Sequence, residues 1–511
     1  MTLPSGDLAS EAARAASLHV VIVGGGMSGL VAALRCAKVG LRVTVVEAGA
    51  HLGGVVRTAE VDGLRLDVGA ESFATRGGHV RALVDELGLG DAVVAPSGGR
   101  AWVAGLPGDQ AAPLPTGGIL GIPANPFADD VRAIIGTRGA WRAYLDRWRP
   151  VLTIGREHSL GKLVRTRLGA RVLDRLVAPV TSGVYSSHPD DIDVDIAAPG
   201  LNAALTRAGS LLGAVALLQG ERAGTAPGAA VQGIDGGMSR LVDALRARLE
   251  TLDVRFVLDT RVAAITRQGG GWAVELDPAD ADPAAAADAA DAAPADLTPE
   301  TEPDAVPILS ADAVIVATHE AEARRLLAPL VPGLAPDPSA PAPLVEIVTL
   351  VLEPSALAGA PRGSGVLTVP GSHVAKALTH SSAKWSWVAR DAEGRHVVRV
   401  SFGSQGEAPA TADLDDAAVF ALAVDEASAL LGTHIPHDAV RAGHRARFVQ
   451  AQPGSAIGQA EAAAAARDAI SAVPGLGAVG AWIAGTGLAQ VVPDATSEGD
   501  RIRAALLWGD H

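Results

Sequence analysis

The run from His19 to Glu47 constrains the fold of this chain more than any other stretch of the sequence. It begins with a short apolar strand, Val20 to Val23, and continues with apolar residues at helical spacing from Leu30 to Val39. Between them lies a GxGxxG pattern made by Gly24, Gly26 and Gly29. A strand, a glycine turn and a helix in this order predict a parallel sheet covered by helices.

These glycines give the turn the properties of a phosphate-binding loop. Gly24 permits the tight turn, Gly26 lets the backbone approach a pyrophosphate, and Gly29 lets the helix pack closely on the strand. The first N–H groups of the helix are available to phosphate oxygens. Glu47 ends the second strand about 20 residues later, at the distance where a carboxylate binds an adenosine ribose. We therefore predict a bound dinucleotide.

Two further segments indicate which dinucleotide binds. The stretch AGAHLGGVVRT follows Glu47, and its glycine pair, Gly53 and Gly54, lets the chain approach a pyrophosphate from the other side. Arg57 adds a charge-assisted contact to phosphate. Next, GLRLDVGAESF places Gly69 to Ser72 after a strand. This extension resembles the flavoproteins of the amine oxidase class rather than nicotinamide enzymes.

Length and composition limit the remaining possibilities. A chain of 511 residues predicts two or three domains, and a formal net charge of -15 argues against a nucleic-acid partner. Cys36 is the single cysteine, so no intramolecular disulfide is possible and a reducing cytoplasm is the simplest compartment. No apolar run reaches the ~18 to 20 residues of a membrane span, which leaves at most peripheral membrane contact. Residues 1–17 are expected to form a disordered tail without a secretory leader.

Residues 277–305 differ from the rest of the chain. They contain nine acidic residues, no basic residue and almost no large apolar side chain. Such a segment buries too little surface to offset its conformational entropy. We predict a disordered acidic insertion within a hairpin, and a tethering role is the less favoured alternative.

The middle of the chain has a helical pattern. Between Pro126 and Gly220 apolar residues recur at helical separations. Four of them have large side chains, and we expect most of these four to lie in the core: Trp141, Tyr144, Leu145 and Trp148. Four aspartates crowd the later part of this region, at positions 190, 191, 193 and 195. They lack the glycine and the distal glutamate of a calcium loop, so a solvated acidic turn is the better interpretation.

The order of motifs along the chain carries a more specific resemblance. GGVVRT, GAESF and ELGL are followed by a predicted strand with Arg100 and by LPTG at Leu114 to Gly117. Further on come GVYSS, the GGM turn at Gly236 to Met238, and AKALTHSSAKW. The chain closes with AWIAGTGLAQVVPDATSEGDRIRAALLWG, predicted as a strand, a glycine turn and a helix. This order resembles the protoporphyrinogen/coproporphyrinogen oxidase family, flavoenzymes of haem synthesis.

The resemblance, together with the hydrophobic periodicity, implies an α/β plus α+β fold. It consists of a discontinuous Rossmann-like FAD-binding domain, an inserted substrate domain built on an antiparallel sheet, and a helical domain. We expect the FAD-binding domain at residues 18–95, 230–321 and 441–511, the substrate domain at 96–125 and 322–440, and the helical domain at 126–229.

The resemblance also implies the cofactor, FAD, and its contacts. No metal site is expected. The residues implied to contact FAD are Gly24, Gly25, Gly26, Met27, Ser28, Gly29, Glu47, Ala48, Gly53, Gly54, Val55, Arg57, Gly69, Ala70, Glu71, Ser72, Val262, Gly485, Thr486, Val491 and Val492.

The implied reaction is the oxidation of a porphyrinogen in three two-electron steps, with dioxygen as the acceptor and hydrogen peroxide as the product. The chemistry belongs to the cofactor, and no protein residue is nominated as catalytic. Substrate contacts are expected at Arg100, which matches a propionate in a bidentate fashion, and at Val180, Gly183 and Lys384. For Lys384, an ordinary surface position is equally compatible with the sequence.

Coproporphyrinogen III is favoured as the substrate, with protoporphyrinogen IX as the alternative. An amine-type or carotenoid-type flavin oxidoreductase and a non-catalytic flavin-binding scaffold remain open alternatives from other classes. The expected partners are the porphyrinogen, dioxygen, the next enzyme of the haem pathway and a second copy of the chain in a homodimer. The expected location is the cytoplasm, with peripheral membrane association as a variant.

Overall fold

A computed structural model describes residues 5–97, 99–150, 157–221, 231–277, 307–338, 342–353, 357, 359–406, 408–450 and 455–509. The predicted acidic insertion lies outside these residues, apart from Asp277 at the end of a strand.

Strands occur throughout the described part of the chain. In order they are β1 His19–Val23, β2 Arg42–Val46, β3 Thr58–Val61, β4 Leu64–Asp67, β5 Phe73–Ala74, β6 Val93–Val94, β7 Trp102–Leu106, β8 Gln110–Pro113, β9 Gly118–Ile119, β10 Ile122–Pro123, β11 Val231–Ile234, β12 Arg255–Val257, β13 Arg261–Gln268, β14 Gly271–Asp277, β15 Ile308–Ala311, β16 Ala313–Val316, β17 Leu344–Leu352, β18 Gly365–Thr368, β19 Ala377–His380, β20 His396–Phe402, β21 Val440–Val449 and β22 Leu476–Ala478.

The α-helices, in order, are α1 Ser5–Ser17, α2 Met27–Ala37, α3 His79–Glu86, α4 Asp129–Tyr144, α5 Leu160–Leu168, α6 Ala170–Val172, α7 Ala178–Tyr185, α8 Val194–Ala197, α9 Leu201–Ala208, α10 Leu211–Glu221, α11 Ser239–Glu250, α12 Glu320–Leu327, α13 Ser381–Lys384, α14 Ser386–Asp391, α15 Asp416–Leu431, α16 Gln459–Ser471, α17 Ala481–Ala484 and α18 Leu488–Trp508. A π-helical turn, Leu173–Val177, joins α6 to α7.

A five-stranded parallel sheet forms the centre of the dinucleotide-binding part. Its strand order is β12-β2-β1-β16-β22, and every pair is parallel. All five residues of β1 are buried, as expected for a strand covered on both faces. Helices α2, α11 and α18 cover one face, and the small sheet β13-β14-β15 packs with α12 and α16 on the other. The Rossmann-like unit predicted from the first 47 residues is therefore present.

The second large sheet has seven strands in the order β21-β17-β20-β19-β18-β7-β8. Five of its pairs are antiparallel, as predicted from the alternating pattern, but β18 and β7 are parallel. One face packs on α15. The other face contacts the β3-β4 hairpin, where Phe448 and Ile347 lie against Val68. This second face approaches Gly69, the first residue of a segment predicted to contact FAD.

The helices from α4 to α10 form a separate layer with its own core. Leu160, Leu176, Leu201 and Val215 are among its fully buried side chains. A buried ion pair fixes the layer, because Asp146 pairs with Arg167 at 2.8 Å and also accepts the N–H of Leu212 at 3.0 Å.

The structure corrects three of the predicted segment assignments. Within the expected tail, Ser5–Ser17 form a helix, because Ala15 is buried and Arg14 donates to the Leu506 carbonyl at 3.3 Å. Strand β21 was expected in the FAD-binding domain but is an edge of the seven-stranded sheet, since it pairs along its length with β17. Helix α12 was expected in the substrate domain but packs into the core of the parallel sheet.

The expected core role of the helical-layer aromatics is also wrong for the largest side chains. Trp141 is 58% exposed, Leu145 is 55% exposed and Trp148 is 80% exposed. Smaller residues of α4, such as Ile135 and Ala140, fill the inward face instead, and Gly136 kinks the helix at φ 69. The Trp141 and Tyr144 rings meet edge to face, with their centroids 5.9 Å apart.

No single helix among the described residues is both long and apolar enough to cross a bilayer. One pair passes the same test jointly, Leu201–Ala208 with Leu211–Gly220, but it is bent by 113°. Likewise, no group of His, Cys, Asp and Glu within the described ranges is arranged to hold a metal ion. Among the four crowded aspartates, Asp193 caps α8 by accepting the N–H of Asp195 at 2.8 Å.

The contact of α18 with α2 generates a stability prediction. A Cβ added at Gly499 would lie 2.9 Å from the Arg35 Cβ and 3.2 Å from the Ala32 carbonyl oxygen. We expect Gly499→Ala to lower the free energy of unfolding by about 1 to 3 kcal/mol through overpacking. Gly220→Ala is the matched control, since a Cβ there meets nothing within 4 Å. Equal urea midpoints for both variants would contradict close packing at Gly499.

Candidate functional site

The glycine turn after β1 leaves an open space at the start of α2. Gly24 has φ +107, and a Cβ there would lie 2.9 Å from the Ala317 carbonyl oxygen. A Cβ at Gly29 would overlap the Gly24 carbonyl oxygen. At Gly26, by contrast, a Cβ would meet nothing within 4 Å. The turn is therefore closed toward the protein and open at Gly26, where the N-terminus of α2 presents its N–H groups to an anion.

A second wall of this space is formed by Glu47 and the following loop. The Glu47 carboxylate accepts the N–H of Gly25 at 2.7 Å and that of Gly49 at 2.9 Å. The Gly53 N–H donates to the Gly25 carbonyl at 2.8 Å. These bonds hold Glu47, the residue predicted to bind the adenosine ribose, and the second glycine pair directly against the first glycine turn.

The third wall is the segment after β4. Ala70 donates its N–H to the Val55 carbonyl at 2.9 Å, and Gly69 donates to that of Arg57 at 3.3 Å. Val55 is 48% exposed, and the exposed Arg57 side chain has no hydrogen-bond partner among the described residues. The predicted segments at residues 24–29, 47–57 and 69–70 thus form one cradle, here called the glycine cradle. Its open face, its helix N-terminus and its unpaired arginine fit a dinucleotide.

The Glu71 side chain lies in a buried ion-pair cluster, and its expected contact with FAD stays a prediction. Its carboxylate pairs with Lys384 and, at 2.9 Å, with Arg399, and Ser381 donates to it at 3.3 Å. Burial opposes ionisation, but the two cations outweigh it and lower the pKa of Glu71 to about 2. Arg399 also donates to the Gly69 carbonyl. The side chain of Glu71 is therefore occupied by ion pairs that tie the cradle to the seven-stranded sheet.

This ion-pair cluster corrects the expectation for Lys384 and adds a residue that sequence reasoning missed. The Lys384 ammonium is bound to Glu71 and stacks over the Trp385 ring at 5.1 Å, so it is neither an ordinary surface lysine nor a carboxylate site open to a ligand. Arg399 was missed. Its only signal is a charged residue inside the apolar strand HVVRVSF.

Asp67, at the end of β4, binds the GGM turn beside the cradle. It accepts the Met238 N–H with both carboxylate oxygens at 3.0 Å, which anchors the GGM turn to β4. Burial raises the pKa of Asp67 to about 6.

The carboxyl-terminal loop differs from its predicted form. The predicted strand at Ala481–Ala484 is helix α17, and the strand β22 lies just before it, at Leu476–Ala478, where it pairs with β16. Gly485 and Thr486 lie between α17 and α18. Val491 and Val492 are buried in the first turns of α18, and the Val491 N–H donates to the Gly487 carbonyl at 3.1 Å. Among the described residues at the start of α18, the backbone N–H groups without an acceptor are therefore those of Leu488 and Ala489.

Val262 lies in β13, and its carbonyl accepts from Arg325 at 2.8 Å. Its expected backbone contact with adenine stays a prediction.

The predicted substrate residues do not all meet. Arg100 lies two residues before β7 and donates from Nη2 to the Leu114 carbonyl and to Asp130, both at 2.9 Å. Leu114, Asp130 and Val180 line one cleft of about 410 Å³. Gly183 faces the other way, toward the side chain of Leu367. Arg100 therefore binds two residues that line the cleft, and Val180 is itself a lining residue. Gly183 is not among the lining residues, and Lys384 is paired with Glu71.

Comparison with known proteins agrees with this geometry. The family described as flavin containing amine oxidoreductase matches residues 27–505. The chain belongs to this family. The protein is accordingly an oxidoreductase, and its cofactor is FAD. The glycine cradle, which has the shape that a dinucleotide needs, is the part of this flavin containing amine oxidoreductase that would hold it.

Named relatives give the resemblance a more specific form than the family match does. Proteins named coproporphyrinogen III oxidase are 30% identical in Mycobacterium tuberculosis, covering 92% of this chain and 94% of the relative, and 29% identical in Propionibacterium freudenreichii, covering 96% and 92%. A crystal structure from Exiguobacterium sp. 255-15, provisionally named protoporphyrinogen oxidase, has a TM-score of 0.78 at 23% identity and covers 95% of this chain and 99% of its own. The family resemblance drawn from the motif order is confirmed.

The open space at Gly26 predicts a separation between folding and cofactor binding. Gly26→Ala should keep the wild-type melting temperature of the apoprotein but weaken FAD binding about tenfold or more, because the methyl group enters the space expected for the pyrophosphate. Gly29→Ala is the contrasting variant and should lower the melting temperature, because its methyl group overlaps the Gly24 carbonyl. Wild-type FAD affinity in Gly26→Ala, measured by flavin fluorescence titration, would refute this position for the cofactor.

The Glu71 cluster predicts a pH-dependent stability. Glu71→Gln leaves Lys384 and Arg399 without their shared anion and should cost about 3 to 5 kcal/mol at neutral pH. Because the pKa of Glu71 falls from 4.5 to about 2 on folding, its stabilisation is complete above pH 4.5 and is lost as the pH falls toward 2. In Glu71→Gln, this loss of unfolding free energy at low pH should be absent.

Glu250→Gln serves as the control for that measurement. Glu250 pairs with Arg246 on an exposed helix face, where such pairs contribute about 0.3 to 0.5 kcal/mol. Urea unfolding from pH 7 to pH 3 compares the two variants. Similar costs for both would show that the buried cluster does not stabilise the protein.

Proposed function

We propose that this protein oxidises coproporphyrinogen III to coproporphyrin III, with protoporphyrinogen IX as the alternative substrate. The observation that carries the proposal is the resemblance over more than nine-tenths of the chain to relatives named coproporphyrinogen III oxidase. The cleft beside Arg100 supports it, because an arginine at the rim of a mostly apolar cleft suits an apolar macrocycle that carries carboxylates.

In this proposal the protein binds and orients, and the cofactor performs the redox chemistry. FAD, when bound, supplies the redox chemistry, which is the uptake of two electrons at a time and their transfer to dioxygen. The glycine cradle holds its phosphates, and Glu47 holds the adenosine ribose. Arg100 binds a propionate with the donors that Asp130 leaves open, since only its Nη2 is engaged with described residues. Val180 and Leu176 exclude water from one face of the ring.

The number of carboxylates distinguishes the two substrates. Coproporphyrinogen III carries four propionates and protoporphyrinogen IX carries two, so the former needs more cationic contacts and a more open cleft. The open rim at Arg100, whose side chain is 46% exposed, favours coproporphyrinogen. Comparing kcat/KM for the two porphyrinogens with the purified holoenzyme tests this choice. A preference for protoporphyrinogen would select the alternative, and turnover of neither would refute the proposal.

An amine-type reaction is the second candidate, because the family described as flavin containing amine oxidoreductase includes it by name. Flavin reduction by a primary or secondary amine, without reduction by porphyrinogens, would favour it.

Arg100 provides a direct test of substrate binding. Arg100→Ala should raise the KM for coproporphyrinogen about 10- to 150-fold, because loss of a charge-assisted contact costs about 1.5 to 3 kcal/mol. Flavin content should stay normal. Lysine at this position should restore binding only in part, since it keeps the charge but not the planar fork.

Arg132→Ala is the matched control for this variant. Arg132 pairs with Asp129 on α4 and is 47% exposed, close to the exposure of Arg100. It does not share the cleft residues Leu114 and Asp130, so its removal should leave KM within about twofold, as for other exposed ion pairs. Equal effects of the two variants, or none from Arg100→Ala, would eliminate the role of Arg100.

A further inference from the structure

Lys376 stands apart from the other lysines of the chain. The sequence has four lysines: Lys38, Lys162, Lys376 and Lys384. Lys38 pairs with Glu86, Lys384 pairs with Glu71, and Lys162 is exposed to solvent. Lys376 is partly buried, yet no acidic side chain in the described ranges lies within ion-pair distance of it.

The backbone around Lys376 is fixed, so the side chain is presented at a defined place. Its N–H donates to the Ser401 carbonyl at 2.9 Å, and its carbonyl accepts the N–H of Thr368 at 3.2 Å. The ammonium group donates to the Ser186 hydroxyl at 2.7 Å. Ser186 directly follows α7, is 3% exposed and has φ +54, a conformation that few residues other than glycine adopt.

The surroundings of the ammonium are polar but neutral. The Ser186 hydroxyl lies 3.4 Å from the Gln450 amide oxygen, and its carbonyl accepts the N–H of Gln405 at 2.8 Å. Ser187 also donates to Gln405. Burial lowers the pKa of Lys376 to about 8, and no carboxylate opposes that effect. A partly desolvated cation without a counter-ion is costly, and a bound anion relieves that cost.

The position of Lys376 relates to the proposed substrate cleft through two elements. Along α7, Val180 lines the cleft, Gly183 faces Leu367, and Ser186 holds the Lys376 ammonium. Along β18, Thr368 binds the Lys376 carbonyl, while Gly363, just before the strand, lies against the backbone of Arg100. Strand β18, Gly365–Thr368, lies between these two contacts and spans about 10 Å.

We propose that Lys376, with Ser186, binds a substrate carboxylate on the edge of the porphyrinogen ring opposite the edge that Arg100 binds. The inference rests on the proposed function. Coproporphyrinogen III carries propionates on both edges of the ring, whereas protoporphyrinogen IX carries them on one edge only. Lys376 therefore selects the tetracarboxylate, and Arg100 binds the carboxylates that the two substrates share.

The test compares Lys376→Met with the exposed control Lys162→Met, both as FAD-loaded holoenzymes. Lys376→Met should raise the KM for coproporphyrinogen about 10- to 100-fold and change that for protoporphyrinogen less than about threefold, since only the former loses a charge-assisted bond. The dissociation constant of coproporphyrin III, measured by quenching of porphyrin fluorescence without turnover, should rise by the same factor. The kcat at saturating substrate should change little, because a distant carboxylate contact affects binding rather than the chemical step.

Flavin content and melting temperature show whether each variant is folded, and Lys376→Gln, which keeps a donor to Ser186, replaces the methionine variant if that one is unstable. The inference would be overturned by an unchanged KM for coproporphyrinogen together with an unchanged dissociation constant for coproporphyrin III. Equal increases in KM for both porphyrinogens would also overturn it. Wild-type protein that binds and oxidises no porphyrinogen would instead overturn the proposed function, so the two failures are distinguishable.

Discussion

The close contact between α2 and the first strand at Gly29 is the constraint on which the rest of the site depends. The contact requires glycine, because any side chain would overlap the Gly24 carbonyl oxygen. It aims the start of α2 at the open space beside Gly26. The Gly25 N–H donates to Glu47 and the Gly53 N–H donates to the Gly25 carbonyl, and these two bonds add the other walls. Packing, rather than a catalytic side chain, is thus what prepares this family member to hold FAD.

Ion pairs then join the cradle to the seven-stranded sheet. Glu71 leaves the cradle to meet Lys384 and Arg399, and Arg399 returns to the Gly69 carbonyl. Such a buried cluster stabilises the protein only while every member is paired. Lys376 and Arg100, in contrast, keep binding capacity: Lys376 lacks an acidic partner among the described residues, and Arg100 uses only one of its nitrogens there. The same sheet therefore carries paired cations that hold the fold and cations that remain available to a ligand.

The sequence predicted most reliably what is decided by neighbouring residues. The turn at Gly24 and helix α2 follow from local spacing, and the structure contains both. It did not predict what depends on contacts between distant segments. Lys384 resembled a substrate ligand until Glu71, 313 residues earlier, was placed beside it. Trp148 has helical spacing with its neighbours but lies on the outer face, because periodicity does not say which side of a helix is covered.

The central claim is that electrons pass from a porphyrinogen to the FAD of this protein, and anaerobic titration measures this most directly. The holoenzyme would be mixed with coproporphyrinogen III in the absence of oxygen while flavin absorbance and porphyrin fluorescence are recorded together. The account predicts that flavin absorbance is lost and that three flavins are reduced for each porphyrin formed, since the conversion removes six electrons and FAD accepts two. Porphyrin formation without flavin bleaching, or an unchanged flavin spectrum with excess porphyrinogen, would contradict it.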